Sequence, residues 1–182
     1  MLATNPIADI RALFALENTS TAESLRDAAR RGGAEYAVSV SGFSQARRVL
    51  VDEKITFLVV EDRLDGEMGL ELVHRVRRGQ GVMAYVPIIM ALHSPTRDKV
   101  MAARNAGVNR VVGMPLSAND ALTHIRQTWT NMAPFVNCDA YFGPCRRWHN
   151  EGPEERERRR HQQGLISPDR VRAALARYAR TL

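Results

Sequence analysis

Cysteine, lysine, aromatic residues and long apolar runs are all scarce in this chain of 182 residues. The two cysteines, Cys138 and Cys145, are too few for a disulfide framework and fit a reducing compartment. No apolar run approaches the roughly 18 to 20 residues that span a bilayer, so the sequence offers no membrane-spanning helix. The N-terminal MLATNPIADIRALF has no basic stretch followed by an apolar one; a secretory leader is not expected, and the protein is read as cytoplasmic. Aromatics are only 6% of the residues, so aliphatic side chains must build the core. Among the 26 basic residues only Lys54 and Lys99 are lysine, which leaves most of the positive charge on guanidiniums suited to carboxylate and phosphate contacts.

What is present is 45% hydrophobic residues, ample for a buried core, and a net charge of +6. A basic balance raises nucleic acid, a membrane surface or an acidic protein as partner, so the location of the charge decides. Residues 1–133 hold 16 basic and 14 acidic side chains, whereas residues 134–182 hold 10 and 6. The excess therefore belongs mainly to the C-terminal segment.

Residues 11–131 alternate short apolar runs with segments of helical spacing, the pattern of a βα repeat. The strand candidates are Ala12–Leu16, Tyr36–Val40, Thr56–Val60, Pro87–Leu92 and Arg110–Gly113, with the third and fourth continuous enough to be central and buried on both faces. Helices are expected to open at Ser20 or Thr21, at Ser44, near Leu70, at Ser94-Pro95 and at Ser117. Strict alternation with right-handed crossovers predicts an α/β fold with a doubly wound, five-stranded parallel sheet, whose working site lies beyond the carboxyl ends of the strands. From residue 132 to about 152 the periodicity disappears and an extended strap is expected. A charged helix over Pro153–Gln163 and a last helix opened by Ser167-Pro168-Asp169 follow. The apolar stripe of that last helix, Val171, Ala174, Leu175 and Tyr178, is narrow and must dock to be stable. The predicted organisation is a body over residues 10–131 and a basic extension over 132–182.

With its elements in this order, the segment from about residue 10 to 131 resembles a CheY-like response-regulator receiver domain, a flavodoxin-like fold with strand order 2-1-3-4-5. The resemblance rests on Ser41-Gly42-Phe43-Ser44-Gln45-Ala46, on Leu58-Val59-Val60-Glu61 through Gly69-Leu70-Glu71-Leu72, on Val86-Pro87-Ile88-Ile89-Met90, on Ala106-Gly107-Val108-Asn109 and on Met114-Pro115-Leu116. It implies an acidic pair that binds Mg2+, an aspartate phosphoacceptor ending the third strand, and a Thr or Ser and a Lys that hold the phosphoryl oxygens. Here the acidic pair falls on Glu17 and Asn18, the acceptor on Glu61, the hydroxyl position on Leu92 and the lysine position on Met114. Without a hydroxyl and an ammonium at those positions, phosphoryl transfer loses its electrostatic stabilisation, so the resemblance is to a degenerate receiver, with no catalytic residue and no resident metal or cofactor. Glu61 either places a permanent negative charge at the phosphoryl position or is a strand-end carboxylate without a switching role. A slip of one residue would make Asp62 the acceptor, with Glu17 and Asp65 helping to hold Mg2+.

The remaining constellations are weaker. Cys138, Cys145 and His149, with His161 or Asp139, would supply zinc-ligand types but lack the tight pair spacing of structural zinc sites. His93 stands at the end of the fourth strand without an evident partner and is read as a polar loop residue. The stretch Tyr141-Phe142-Gly143-Pro144-Cys145-Arg146-Arg147-Trp148 interleaves aromatics with arginines. That pattern suits base stacking, but equally a strap pinned by its aromatics or a linear motif for a protein partner, and the last two are preferred. It also resembles Tyr-x-Gly-Pro-x-Arg-Arg tails of some single-domain bacterial receiver-like proteins. The mixed charges of Glu154–Arg160 give favourable i,i+4 pairs and read as a solvated helix.

The expected function is a bacterial two-component or phosphorelay signalling module that binds a protein partner without regulated phosphorylation. The recognition residues are expected to be Arg104, Arg110, Asn119 and Arg126 on the fourth-helix, fifth-strand and fifth-helix face, and Tyr141, Phe142, Arg146, Arg147 and Trp148 in the tail. Homodimerisation through the fourth-helix to fifth-helix face is a further expectation. The alternatives are a phosphorylatable regulator using Asp62 or Glu61 with Mg2+, and a nucleic-acid-binding adaptor working through the Arg-rich tail.

Overall fold

The computed structural model describes residues 5–138, 140–148, 152–160 and 164–181. In chain order the body contains β1 (Arg11–Ala15), α1 (Thr19–Arg31), β2 (Tyr36–Val40), α2 (Phe43–Asp52), β3 (Phe57–Glu61), a small hairpin of β4 (Arg63–Leu64) and β5 (Glu67–Met68), α3 (Gly69–Arg78), a 3-10 helix (Gly81–Tyr85), β6 (Ile88–Leu92), α4 (Arg97–Asn105), β7 (Arg110–Gly113) and α5 (Ala118–Thr130). Five of these strands form a parallel sheet in the order β2-β1-β3-β6-β7. The strand order reverses at β1, so helices cover both faces: α1 packs with α5, and α2 with α3. Every residue of β3 and β6 is buried, as their unbroken apolar runs require of central parallel strands.

Three helices begin elsewhere than their Ser and Thr residues suggest. Asn18 caps α1, its side chain accepting the Thr21 N–H at 2.8 Å, so Ser20 and Thr21 lie inside the helix. Burial of Phe43 starts α2 directly behind Gly42, one residue before Ser44. Ser94 adopts a left-handed backbone with φ 47°, which turns the chain before α4; Thr96 then caps that helix. The hairpin and the 3-10 helix are additions to the expected elements. Asp65 and Gly66 both have positive φ, as a two-residue turn of this kind demands, and Asp-Gly is a favoured pair there.

The expected strap is in fact a small antiparallel sheet. β8 (Phe135–Cys138) pairs with β9 (Tyr141–Pro144) and with β10 (Leu165–Ile166), in the order β10-β8-β9. Its strands are two to four residues long, too short to show a period in sequence. Tertiary packing holds them: Phe135 is fully buried, and its ring meets Tyr85 at 5.3 Å and Phe142 at 6.0 Å. α6 (Pro153–Arg160) and α7 (Pro168–Arg180) complete the chain, and Ser167 caps α7 as expected. The apolar stripe of α7 does dock, burying Val171 and Leu175 against the body beside the 3-10 helix.

The tail caps one end of the sheet. Arg180 pairs with Asp9 at 3.2 Å, Lys54 stacks over Tyr178 at 4.8 Å, and Tyr85 meets Phe142 at 5.0 Å. Asp9, Lys54 and Tyr85 each lie just before a sheet strand, so the extension covers the edge where the strands begin and leaves their carboxyl ends free.

Arg77 organises this covered end. It is 6% exposed and faces no carboxylate among the described residues. Its guanidinium instead donates to the carbonyls of Gly107 at 2.9 Å and of Ala84 and Val86 at 2.8 Å, and to the Asn109 side-chain oxygen at 3.0 Å. Phe135 of the tail sits 5.2 Å from the guanidinium carbon. Burial lowers the Arg77 pKa from the ordinary arginine range, so these carbonyl dipoles are what keeps the charge tolerable. Replacing Arg77 with Met strands three buried carbonyls, each costing about 1 kcal/mol or more, and urea unfolding is expected to show a loss of about 3 kcal/mol or more. A loss under about 1 kcal/mol would contradict this role.

Candidate functional site at the carboxyl ends of the strands

Two consecutive carboxylates leave β3 at the open end of the sheet. Glu61 is the last residue of the strand and its side chain is 2% exposed. Its Oε2 accepts the Glu17 N–H at 2.7 Å, which ties β3 to the loop after β1. Its Oε1 lies 3.4 Å from His93 Nε2 at the end of β6. Gly69 permits this turn of the chain, because a Cβ there would stand 1.9 Å from the Glu61 carbonyl oxygen.

Asp62 follows immediately and turns to the other side of the cleft. Its Oδ1 accepts the His93 N–H at 3.1 Å and lies 3.4 Å from His93 Nδ1, while its Oδ2 accepts from Lys99 Nζ at 2.9 Å. Lys99 stands in the first turn of α4 and also donates to the His93 carbonyl at 2.8 Å. Burial pushes the Asp62 pKa up, but Lys99 and the His93 amide outweigh it, and the net shift is below the usual aspartate value.

The other sequence-derived positions sit around this pair as follows. Leu92 ends β6 and is 2% exposed; Met114 packs on the core just past β7, and its peptide bond to Pro115 is cis. Neither offers a hydrogen-bond donor to an anion. Asn18 spends its side-chain oxygen on capping α1, and Glu17 is exposed. Glu17 and Asp65 line a shallow groove of about 440 Å3 with Ser41, Gly42, Ser44 and Gln45.

Mg2+ requires several uncommitted oxygens in octahedral array. Glu61 Oε2 and both Asp62 oxygens already accept amide or ammonium hydrogens, and Glu61 Oε1 faces His93 Nε2 at 3.4 Å. Among the described residues no cluster of three or more His, Cys, Asp or Glu side chains is placed to hold a metal. For zinc, Cys138 is exposed and Cys145 buried, and Asp139, His149 and His161 lie outside the described residues.

The residues expected to meet a partner divide into groups. Asn119 and Arg126 are exposed on α5, and Arg147 is exposed in the tail. Arg104, Arg110 and Arg146 line one cavity at the seam between body and tail. Phe142 joins the internal aromatic cluster, the Tyr141 hydroxyl donates to the Pro144 carbonyl at 2.8 Å, and the Trp148 carbonyl accepts from Arg156 at 2.7 Å, so these residues hold the tail in shape.

Lys99 and His93 complete the cleft, and the sequence had marked neither as functional. Lys99 is one of only two lysines, but it belongs to α4 and not to the strand end where an ammonium was sought. His93 looked partnerless because the carboxylates it meets, Glu61 and Asp62, lie at the end of β3, far away in sequence.

No family model and no curated protein matches this chain. Solved structures do. A response regulator receiver protein from Pseudomonas putida is 22% identical over 65% of this chain and 96% of its own, with a TM-score of 0.59. The chemotaxis response regulator CheY4 of Vibrio cholerae is 14% identical over 65% of this chain and 97% of its own, also at 0.59. The receiver domain of a sensor histidine kinase from Pseudomonas aeruginosa, solved with magnesium in its active-site cleft, is 20% identical over 67% and 98%, at 0.57. The fold is thus that of CheY-like receiver domains.

The Lys99–Asp62 pair has a defined pH signature. An aspartate held below its unfolded value, about 3.9, stabilises the fold above that pH, and the contribution is lost as pH falls through the folded-state value. With Lys99→Met, only the His93 contacts oppose burial, so the Asp62 carboxyl is expected to titrate higher in 13C NMR than in the unsubstituted chain. The Lys99 side chain is 45% exposed, so solvent screening limits the stability loss at neutral pH to about 1 kcal/mol. An unchanged Asp62 titration in the variant would contradict the pairing.

Proposed function

We propose that this chain is a receiver-type module of two-component or phosphorelay signalling that works in the cytoplasm by binding a protein partner, without regulated aspartyl phosphorylation and without a resident cofactor. One observation carries the reading: Lys99 and the His93 amide already satisfy Asp62, beside a Glu61 satisfied by the Glu17 amide. A phosphoryl group arriving there would displace these bonds and would find Leu92 and Met114 where donors are needed to stabilise its transition state.

The same bonds suggest how a fixed signal is built. Lys99 lies in the first turn of α4, so its pair with Asp62 pins the start of that helix to the end of β3. The α4–β7–α5 face then has one preset arrangement, with Asn119 and Arg126 exposed for a partner or a second copy of the chain. Glu61 acts in this reading as a structural tie between β1, β3 and β6.

A second reading, phosphorylation at Asp62, draws on the same ammonium and amide, which would also suit a phosphoryl group. Incubation with acetyl phosphate and Mg2+ followed by intact mass measurement separates the two. No species heavier by about 80 Da is expected. Such a species, lost on Asp62→Asn or Glu61→Gln, would overturn the proposal and name the acceptor.

A further inference from the structure

The end of the α4–β7–α5 face where the strands begin meets the tail around a cavity of about 320 Å3. Three arginines from separate elements line it: Arg104 late in α4, Arg110 at the first position of β7, and Arg146 just after β9. No carboxylate is among the described residues lining it. Among the described residues, neutral groups hold these guanidiniums. Arg104 donates to the Arg146 carbonyl at 2.8 Å, Arg110 donates to the Thr128 hydroxyl at 3.0 Å, and Arg146 donates to the Asn105 side-chain oxygen. Burial lowers the pKa of Arg110, and burial together with the Arg110 charge lowers that of His124, 3.5 Å away. Three guanidiniums thus share one wall, with no carboxylate among the described residues that line it.

Asn109 stands in the same wall, with its amide held from behind. Its Oδ1 accepts the Ile88 N–H at 2.9 Å and an Arg77 N–H at 3.0 Å, which fixes the orientation of the amide. Its Nδ2 is buried and has no acceptor, and Asn109 lines the same cavity.

We propose that this cavity binds a phosphate-bearing small molecule, a phosphate monoester, through Arg104, Arg110 and Arg146. A phosphate carries about two negative charges and three acceptor oxygens, the complement of three guanidinium forks. The volume falls in the range of small-ligand sites. A neighbouring cleft of about 780 Å3 shares Arg110, Asn131 and Met132 in its wall, leaving room for the rest of an ester. The cavity lies at the opposite end of the sheet from Glu61 and Asp62, so it stands independently of how that cleft works.

Isothermal titration of the full chain at low salt with ribose 5-phosphate, inorganic phosphate and acetate tests this. Stoichiometric, salt-sensitive binding of ribose 5-phosphate is expected, tighter than that of phosphate, with none for acetate. Equal affinity for the first two would assign the site to the phosphate group alone. Arg110→Gln and Arg146→Gln are each expected to weaken binding by about tenfold or more. Asn109→Asp keeps the Oδ1 acceptor and puts a carboxylate among the arginines; it is expected to fold and to lose phosphate binding. Absence of stoichiometric binding by both phosphate compounds, or undiminished affinity in these variants, would overturn the proposal.

Discussion

Glu61 and Asp62 leave β3 as consecutive, nearly buried carboxylates, and two negative charges held side by side away from water are costly unless donors meet each of them. The chain meets them from three directions. The loop after β1 gives the Glu17 amide, the end of β6 gives the His93 amide and ring, and α4 gives the Lys99 ammonium. Each contact joins a different element to β3, so charge compensation and the assembly of this end of the sheet are one event. The start of α4 is tied to the end of β3 by the same bonds.

The opposite end of the sheet has the inverse problem. Arg77 is a buried cation, and carbonyl oxygens answer it in place of carboxylates. Those carbonyls come from the 3-10 helix, the lead-in to β6 and the turn after α4, and Phe135 closes over the guanidinium from the tail. The extension is therefore packed onto the body as a cap. It also adds Arg146 to Arg104 and Arg110 of the body at the seam between the two.

Most of the sheet was legible because buried parallel strands write unbroken apolar runs: Phe57–Val60 and Ile88–Leu92 announce themselves. Helix starts were less legible, since several Ser and Thr residues lie near each one and burial of Phe43 or the turn at Ser94 chooses among them. Short β8, β9 and β10 left no periodic trace because cross-strand pairing and Phe135 define them. Glu61, Asp62, Leu92 and Met114 fall at or just past the strand ends, where the apolar runs placed them. Lys99 and His93 were not legible, because their role depends on partners 37 and 31 positions away, a distance that only the folded chain closes. Arg77 looked like an ordinary basic residue at a helix end for the same reason.

The central claim is that the chain's own amides and Lys99 already satisfy the carboxylates that end β3. Amide chemical shifts of Glu17, Asp62 and His93 during titration with Mg2+ and beryllofluoride, which mimics a bound phosphoryl group, test it most directly. The bonds described here predict no saturable shift at these residues. Saturable shifts centred on them and spreading into α4 would contradict it.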